Sequence, residues 1–427
     1  MPSDNTPATI SRADIPAIIN KASNVFIQGG VGEPSKILQI LKESSQISNK
    51  INYTTVSIPG INKFSPCDFH PEASLTTFFM HGQINEHATK KNTRFLPLHY
   101  RDIYRFLDEA PTFDVAIIQV SPAGPDGQCS LGVSVDFLPA ILNKTKKIIA
   151  QINTRFPAAI NAPSIPYADL DYIFHTDEPF SDVPQVKSDA TTEAIANNVC
   201  SLIDDGSCLQ IGIGKLPGTI LGQLNNHNDL GLHSGLIGEA TQTLIENGVI
   251  NGARKTLDKC KHVTGLALGG PEFSRWAAQH ADIVFKPVNY THEYRTISAI
   301  DQFTSINSAL EVDLFGQANA EMINGRQVSA TGGLVDFVRG ARGSNDGKSI
   351  LAFPATANKG AQSRICVKLS AQSMTSVCRA DVDYVVTEYG IAPLFRKSTE
   401  QRARALIDIA APDVRDELWQ QWEQINQ

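Results

Sequence analysis

The stretch VFIQGGVGEPSKIL, residues 25–38, carries the pattern that decides the fold. An apolar run typical of a buried strand is followed by glycines, a proline and an amphipathic run typical of a helix. The stretch LQIGIGKLPGTIL, residues 209–221, repeats this order. Each is followed by a second glycine-bearing loop, at 122–132 and at 312–321. The repeat of strand, glycine turn and helix predicts two similar α/β halves.

Short apolar runs with the same character occur along the whole chain. They lie at 24–30, 113–121, 146–153, 171–176, 207–214, 282–287, 349–354 and 382–390, with helical patterns between them, such as 34–47 and 190–203. Strands that alternate with helices predict an α/β protein with two open, mostly parallel sheets. The polar stretch 181–194 predicts a boundary, so we expect an N-terminal domain at 1–190 and a C-terminal domain at 191–427.

Composition excludes several classes of function. The chain has 427 residues, 42% hydrophobic and 19% charged, as expected for a globular protein of more than one domain. A net charge of −7 without a basic block argues against nucleic acid as the partner. We expect no membrane span and no secretory signal, because the apolar runs that they require are missing. We also expect no metal site, because no Cys/His pairs have the spacing of metal ligands. Seven scattered cysteines are typical of reduced thiols in a cytoplasmic protein.

Two glycine pairs are candidates for binding an anionic group through backbone N–H. Gly212 and Gly214 lie between a strand and a helix start, where free N–H groups and the helix dipole favour an anion. A plain tight turn is the alternative. Gly332 and Gly333 are placed to present N–H groups to a carbonyl oxygen, as oxyanion donors do.

Arg339 and Arg342 follow the second glycine pair. A guanidinium is well suited to a ligand phosphate, and a solvated surface charge is the alternative for both side chains.

Five ordered stretches together are more specific than any of these motifs alone. They are SPAGPDGQCSLGVSVD (121–136), GIGKLP (212–217), SINSALEVDLFGQANAE (305–321), GGLVDFVRGA (332–341) and DVDYVVTEYGIAPL (381–394). On these stretches the chain resembles the acetyl-CoA hydrolase / 4-hydroxybutyrate CoA-transferase family. The resemblance implies two CoA-transferase-type α/β halves, acyl-CoA and a short carboxylic acid as substrates, and a homodimer or higher homo-oligomer.

The resemblance also implies a ping-pong mechanism in which coenzyme A is a substrate. A glutamate attacks the thioester to form an acyl-glutamyl anhydride, and the released thiolate returns to give a glutamyl-CoA thioester. An acceptor carboxylate then takes over the CoA. In this pattern Gly212 and Gly214 line the CoA-side loop, and Gly332, Gly333 and Asp336 lie at the thioester end.

The stretch LGLHSGLIGEATQTL, residues 230–244, matches the segment that carries the family's glutamate, with one departure. Gly235 stands where the resemblance places that glutamate. Glu239, four residues later, is the leading candidate for the nucleophile, and His233 is a second candidate catalytic residue.

Other sources of the nucleophile stay open. A carboxylate of the first half, Glu33 or Glu72, is able to enter a substrate pocket that includes Gly235. Alternatively the chain is an acyl-CoA hydrolase that uses water, or a CoA-binding protein without turnover. Glycine in place of glutamate at position 235 changes the part of the site that would hold the acyl group. We therefore expect a C4–C5 acid such as butyrate, 4-hydroxybutyrate, succinate or itaconate.

Overall fold

The computed structural model describes residues 6–89, 91–109, 112–179 and 187–425. These residues form two compact units. The first holds those of Met1–Val183 together with Thr264–Tyr290, and the second those of Pro184–Val263 and Thr291–Gln427. The predicted boundary stretch 181–194 lies partly outside the described residues, and the division at 190/191 stays a prediction.

The described residues of the first unit form a sheet of eight strands, in which neighbouring strands run parallel. Their spatial order is Ala8–Thr9, Tyr172–Thr176, Ile148–Asn153, Val115–Val120, Asn24–Ile27, Asn52–Thr55, Ser74–Thr77 and Thr93–Phe95. Strands Val115–Val120 and Ile148–Asn153 are buried along their whole length. A strand that is covered on both faces has a nearly continuous run of apolar residues, which is why both strands could be predicted from the sequence.

Helices and short strands complete the first unit. The helices are Asp14–Ile19, Ser35–Glu43, Gly82–His87, Tyr100–Glu109, Leu138–Leu142 and Pro271–Gln279. The short strands are Gln128–Ser130, Ser164–Pro166, Leu266–Leu268 and Ile283–Phe285. Helix Ser35–Glu43 confirms the helical pattern at 34–47. It buries residues at positions 37, 38, 40 and 41, the spacing of one helical face.

The described residues of the second unit form a sheet of six strands. Their order is Gly231–Leu232, Cys208–Ile211, Phe303–Asn307, Lys348–Ala352, Tyr384–Thr387 and Gly390–Pro393. All neighbours run parallel except the last two, which form an antiparallel pair. Two open, mostly parallel sheets confirm the predicted fold class.

The second unit also contains helices and short strands that are not part of this sheet. The helices are Ala190–Cys200, Lys215–Gly222, Glu239–Glu246, Tyr294–Ser298, Leu334–Gly343, Thr399–Asp408 and Arg415–Ile425. The short strands are Leu236–Gly238, Glu311–Asp313, Ala318–Asn319, Met322–Ile323, Arg326–Gln327, Thr356–Ala357, Gln362–Ser363 and Ile365–Cys366. Strand His262–Thr264 and helix Val288–Thr291 cross the limits of the two units.

The apolar core of the second unit lies between its sheet and its helices. Val338 of helix Leu334–Gly343 and Leu406 of helix Thr399–Asp408 belong to one buried cluster with Leu351 of the sheet. None of the described helices is both long and apolar enough to cross a membrane.

Candidate active site

The repeated sequence motif forms the same local structure in both units. Strand Asn24–Ile27 leads through a glycine turn into helix Ser35–Glu43, and strand Cys208–Ile211 leads into helix Lys215–Gly222. In an open parallel sheet, ligands bind beside turns of this kind, at the carboxyl ends of the strands.

Gly214 begins the helix of the second turn in a conformation that requires glycine. Its φ of 109° lies in the region that side chains disfavour, although a β-carbon built there would meet no atom within 4 Å. Gly212 is half-buried and Gly214 is exposed. Lys215, the first residue of the helix, pairs with Asp189, which caps helix Ala190–Cys200. The turn is therefore fixed and accessible, and its binding of CoA stays a prediction.

His233 is held as a neutral, buried ring at the end of strand Gly231–Leu232. Its backbone N–H donates to the carbonyl of Leu209 at 3.0 Å, and its Nε2 lies 3.0 Å from the carbonyl oxygen of Thr291. Burial lowers the pKa of His233 to about 3, so the ring carries no charge at physiological pH. These contacts suit an anchor of the strand end, and a catalytic role for His233 stays a prediction.

Gly235 and Gly333 both lie against the ring of His292. A β-carbon built on Gly235 would lie 2.6 Å from Cε1 and 2.8 Å from Nε2 of this ring, and one built on Gly333 would lie 2.5 Å from Nε2. His292 is 3% exposed, and its Nδ1 lies 2.9 Å from Oγ1 of Thr291. The structure thus brings together two glycines that are far apart in sequence, and the histidine fills the space beside Gly235.

Glu239 is the first residue of helix Glu239–Glu246. Gly238, the residue before it, is extended, and the Glu239 side chain is half-buried. The positive end of the helix dipole attracts a carboxylate in the first turn. This position suits a nucleophile, and that role stays a prediction.

The second glycine pair lies at the start of helix Leu334–Gly343. Gly332 has a φ of 53°, and the backbone N–H of Leu334 donates to the carbonyl of Thr331. Asp336 lies in the first turn and is half-buried. The pair therefore occupies a helix N-terminus, a setting that favours an anion, and the binding roles of these residues stay predictions.

Arg339 and Arg342 of the same helix are engaged by acids of their own unit. Arg339 Nε lies 3.2 Å from Oδ2 of Asp381, and Arg342 pairs with Asp383. Each guanidinium is therefore matched by a carboxylate in this structure, which suits a structural role for both.

Two carboxyl groups of the first unit are shielded from water. Glu33 Oε2 accepts from the backbone N–H of Lys63 at 3.2 Å, and burial raises the pKa of Glu33 to about 7. Asp136 is 9% exposed, with a φ of 33°, and burial likewise raises the pKa of Asp136 to about 7. Glu72 is exposed. The sequence indicated Glu33 and Glu72 as alternative candidates for the nucleophile, whereas the burial of Asp136 became visible only in the structure.

Sequence reasoning missed His292 and Lys255. Lys255 is 4% exposed, and its Nζ donates to the carbonyls of Leu232 at 3.1 Å and Lys261 at 2.7 Å. Neither residue stands in a recognisable motif, and only the packing of the second unit brings them to the 233–239 segment. Among the described residues, no group of three or more His, Cys, Asp or Glu side chains is arranged to hold a metal ion.

Similar sequences identify the family to which this arrangement of two α/β units with glycine turns belongs. The sequence matches the acetyl-CoA hydrolase/transferase N-terminal domain over residues 7–184 and the C-terminal domain of the same family over residues 269–422. The 4-hydroxybutyrate coenzyme A transferase of Clostridium kluyveri is 34% identical over 95% of each chain.

Solved structures agree with the sequence matches. RipA from Yersinia pestis has a TM-score of 0.91 at 29% identity, and the comparison covers 98% of each chain. A 4-hydroxybutyrate CoA-transferase from Porphyromonas gingivalis has a TM-score of 0.81 at 31% identity, covering 98% of this chain and 97% of that one. The fold is that of the CoA-transferases. More narrowly, the chain belongs to the acetyl-CoA hydrolase/transferase family of enzymes, as its sequence motifs predicted.

Proposed function

We propose that the protein transfers CoA between short-chain carboxylic acids through a glutamyl-CoA thioester on Glu239. One observation carries this proposal. Gly235, on the loop that leads to Glu239, and Gly333, at the start of helix Leu334–Gly343, lie against the same ring. A carboxylate-bearing segment and a helix N-terminus therefore approach each other within the second unit. The transferase names of two relatives support the same reaction.

The chemistry needs only groups of the kind that this site offers. The Glu239 carboxylate attacks the thioester carbon, and the C–S bond breaks to give a mixed anhydride and CoA thiolate. The thiolate attacks the glutamyl carbonyl, which releases the first acid and leaves glutamyl-CoA. The acceptor carboxylate attacks this thioester, and the thiolate then attacks the acceptor's carbonyl in the new anhydride. Free Glu239 and a new acyl-CoA result, and no proton is transferred.

Backbone groups take the remaining roles in this proposal. The N–H groups of Gly332 and Gly333 stabilise the oxyanion, with Asp336 at the same end, and the Gly212–Gly214 turn binds CoA. The substrate pocket includes Gly235. Pantetheine and nucleotide contacts of CoA supply binding energy that positions the reacting carbonyl.

The other carboxylates suit the nucleophile less well than Glu239. Because burial raises the pKa of Glu33 to about 7, a large fraction of this group carries a proton near neutral pH and is then not nucleophilic. Glu72 is exposed, so water competes for its charge. Of Glu33, Glu72 and Glu239, it is Glu239 that combines partial burial with the first turn of a helix.

The acid that we propose is a C4–C5 acid, with 4-hydroxybutyrate first because two relatives carry that name. Butyrate, succinate and itaconate are the other members of the panel to be tested. A cytoplasmic location and a homodimer or higher homo-oligomer stay predictions.

Replacement of Glu239 tests the proposal directly. We expect Glu239→Gln to lower CoA transfer from 4-hydroxybutyryl-CoA to acetate by at least about 10³-fold, because it removes the covalent nucleophile. Borohydride reduction of the wild-type protein after incubation with acyl-CoA, followed by peptide mass spectrometry, should locate the label on Glu239. Glu246→Gln, at the far end of the same helix, is the matched control and should retain activity.

Three outcomes contradict the proposal. If Glu239→Gln stays active and the label maps elsewhere, the nucleophile is wrong. If free thiol appears without an acceptor and no acid gains CoA, the protein is an acyl-CoA hydrolase. If the thioester is bound and neither product forms, it is a CoA-binding protein without turnover.

A further inference from the structure

We propose that four cationic side chains of the second unit form a binding site for an oligophosphate, which takes no part in the proposed reaction. They are Arg379, Arg396, Lys397 and Arg402, and we call them the cationic cluster. Their ligand is a short chain of phosphates, either inorganic or carried by a nucleotide. The site does not depend on Glu239 or on CoA transfer.

An exposed aromatic ring holds one member of the cluster at the surface. The guanidinium carbon of Arg396 lies 4.9 Å from the ring centroid of Phe395, and that of Arg342 lies 4.7 Å from the same centroid. Phe395 is 46% exposed. A guanidinium that stacks on an aromatic ring keeps its N–H groups at its own edge, where they are able to bind two phosphate oxygens together. Stacking therefore restricts Arg396 without occupying the edge that binds an anion.

Arg402 connects the other members of the cluster. Its Nη1 donates to the backbone carbonyl of Arg379 at 2.6 Å, and its Nε donates to that of Lys397 at 3.3 Å. Burial lowers the pKa of Arg402, and the positive charges of Arg379 and Arg342 lower it further. Because like charges repel each other, an anion that binds among these groups relieves an unfavourable interaction.

The positive charge of the cluster is not balanced by acids. Two carboxylates that follow Arg379 in sequence are already paired with other arginines, Asp381 with Arg339 and Asp383 with Arg342. Within the described ranges of the chain, no carboxylate lies at ion-pair distance from a member of the cluster. The chain as a whole has a net charge of −7, so the cluster is a local excess of positive charge.

The cluster lies at the sheet edge opposite to the one that the proposed reaction uses. Strand Gly390–Pro393 runs antiparallel to strand Tyr384–Thr387, and its last residue pairs with the first residue of that neighbour. Phe395 therefore lies near the amino ends of the parallel strands, whereas the Gly212–Gly214 turn follows a carboxyl end. Arg342 agrees with this placement, because it lies roughly 13 Å along the helix axis from the second glycine pair. The cluster is thus separate from the proposed CoA site.

The charges come from two segments of the chain, so a ligand of some length is required. Arg379 precedes strand Tyr384–Thr387, whereas the other three members lie before or within helix Thr399–Asp408. A single small anion contacts few of them, whereas consecutive phosphates contact cations of both segments through paired hydrogen bonds. A nucleic acid fits less well, because a long polyanion also meets the surface of a chain whose net charge is negative.

Calorimetric titration of the full chain with tripolyphosphate tests the site. We expect saturable binding at low ionic strength, where surface charges are least screened. Arg379→Gln and Arg396→Asn should each weaken it about tenfold, as for loss of one charge-assisted contact. Asparagine tolerates the φ of 58° at position 396, so the backbone should not change. Arg326→Gln removes another exposed arginine of the second unit and, as the matched control, should bind like the wild type.

Replacement of the aromatic ring separates a built site from diffuse attraction. Phe395→Leu keeps every charge and removes the ring on which Arg396 stacks, so we expect binding to weaken about threefold to tenfold. Unchanged melting temperatures will show that the variants fold. Equal binding by Phe395→Leu and the wild type, or equal weakening by Arg326→Gln and Arg379→Gln, would overturn the proposal, because charge alone would then attract the anion.

Two further ligands identify the source of the phosphates. ATP that binds as tightly as tripolyphosphate assigns the site to the phosphate chain alone, whereas tighter binding adds a contact with the nucleoside, and both results support the proposal. CoA at equal concentration should displace little tripolyphosphate, because its diphosphate is esterified at both ends. Full displacement by CoA would assign the cluster to the CoA site, and no binding by the wild type would leave no site at all. Neither result depends on whether the protein transfers CoA.

Discussion

At the scale of single residues, Gly235 is explained by its neighbour. The sequence left open whether this glycine clears space for a carboxylate from elsewhere. In the structure the ring of His292 occupies that space, 2.6 Å from where a β-carbon would stand. A side chain at position 235 and an imidazole at position 292 therefore exclude each other in this backbone.

This exclusion predicts a coupled effect on stability. Gly235→Glu should lower the free energy of unfolding by about 1–3 kcal/mol, because the new side chain overpacks against the ring. Adding His292→Ala should recover part of that loss, whereas His292→Ala alone should be destabilising. Urea unfolding of the four proteins gives the coupling energy, and simple additivity would contradict the exclusion.

Asp136 predicts a pH dependence of stability. Burial raises the pKa of Asp136 to about 7 in the folded protein. Between about pH 4 and pH 7 the folded state therefore holds a proton that the unfolded state has released, and stability falls as pH rises. Asp136→Asn should be more stable than the wild type by about 2–4 kcal/mol at pH 8 and similar to it at pH 4.

Denaturation midpoints across that pH range check the prediction for Asp136. Asparagine tolerates the positive φ at this position, so the backbone should not change. The exposed Asp169→Asn is the control, and its difference from the wild type should stay constant with pH. A constant difference for Asp136→Asn as well would show that the acid is ionised throughout.

At the scale of elements, one buried lysine ties a loop to the strand before His233. The ammonium group of Lys255 donates to the carbonyls of Leu232 and Lys261, and burial lowers the pKa of Lys255. The 233–239 segment begins directly after this contact. Its position therefore depends on a loop that takes no part in the proposed chemistry.

Lys255→Met should consequently destabilise the protein by about 2–4 kcal/mol. It keeps the apolar stem and leaves two carbonyl oxygens without their donor, each at a cost of roughly 1–3 kcal/mol. Urea unfolding measures the change, with the exposed Lys259→Met as control. Equal stability of both variants would mean that water replaces the ammonium group without loss.

At the scale of the whole molecule, the sequence predicted the individual strands and helices better than it predicted which of them lie side by side. The runs that became strands Val115–Val120 and Cys208–Ile211 were visible because burial on both faces demands continuous apolar residues. The order of strands in each sheet leaves no such mark. The contact of Gly235 with His292 was equally hidden, since it depends on how a helix and two loops pack rather than on any spacing along the chain.

The edge of the larger sheet affects how the chain folds as it is made. Strand Ala8–Thr9 is synthesised before the other strands of this sheet, yet it pairs with residues 172 and 173. It must wait for most of the first unit to be synthesised, while the strands between them are already able to pair. Closing so distant a contact is slow, because the loop's entropy is lost before the pairing stabilises it. The edge strand is therefore the last of this sheet to form during synthesis, and until then Tyr172–Thr176 exposes an unpaired edge on which chaperones or other nascent chains can act.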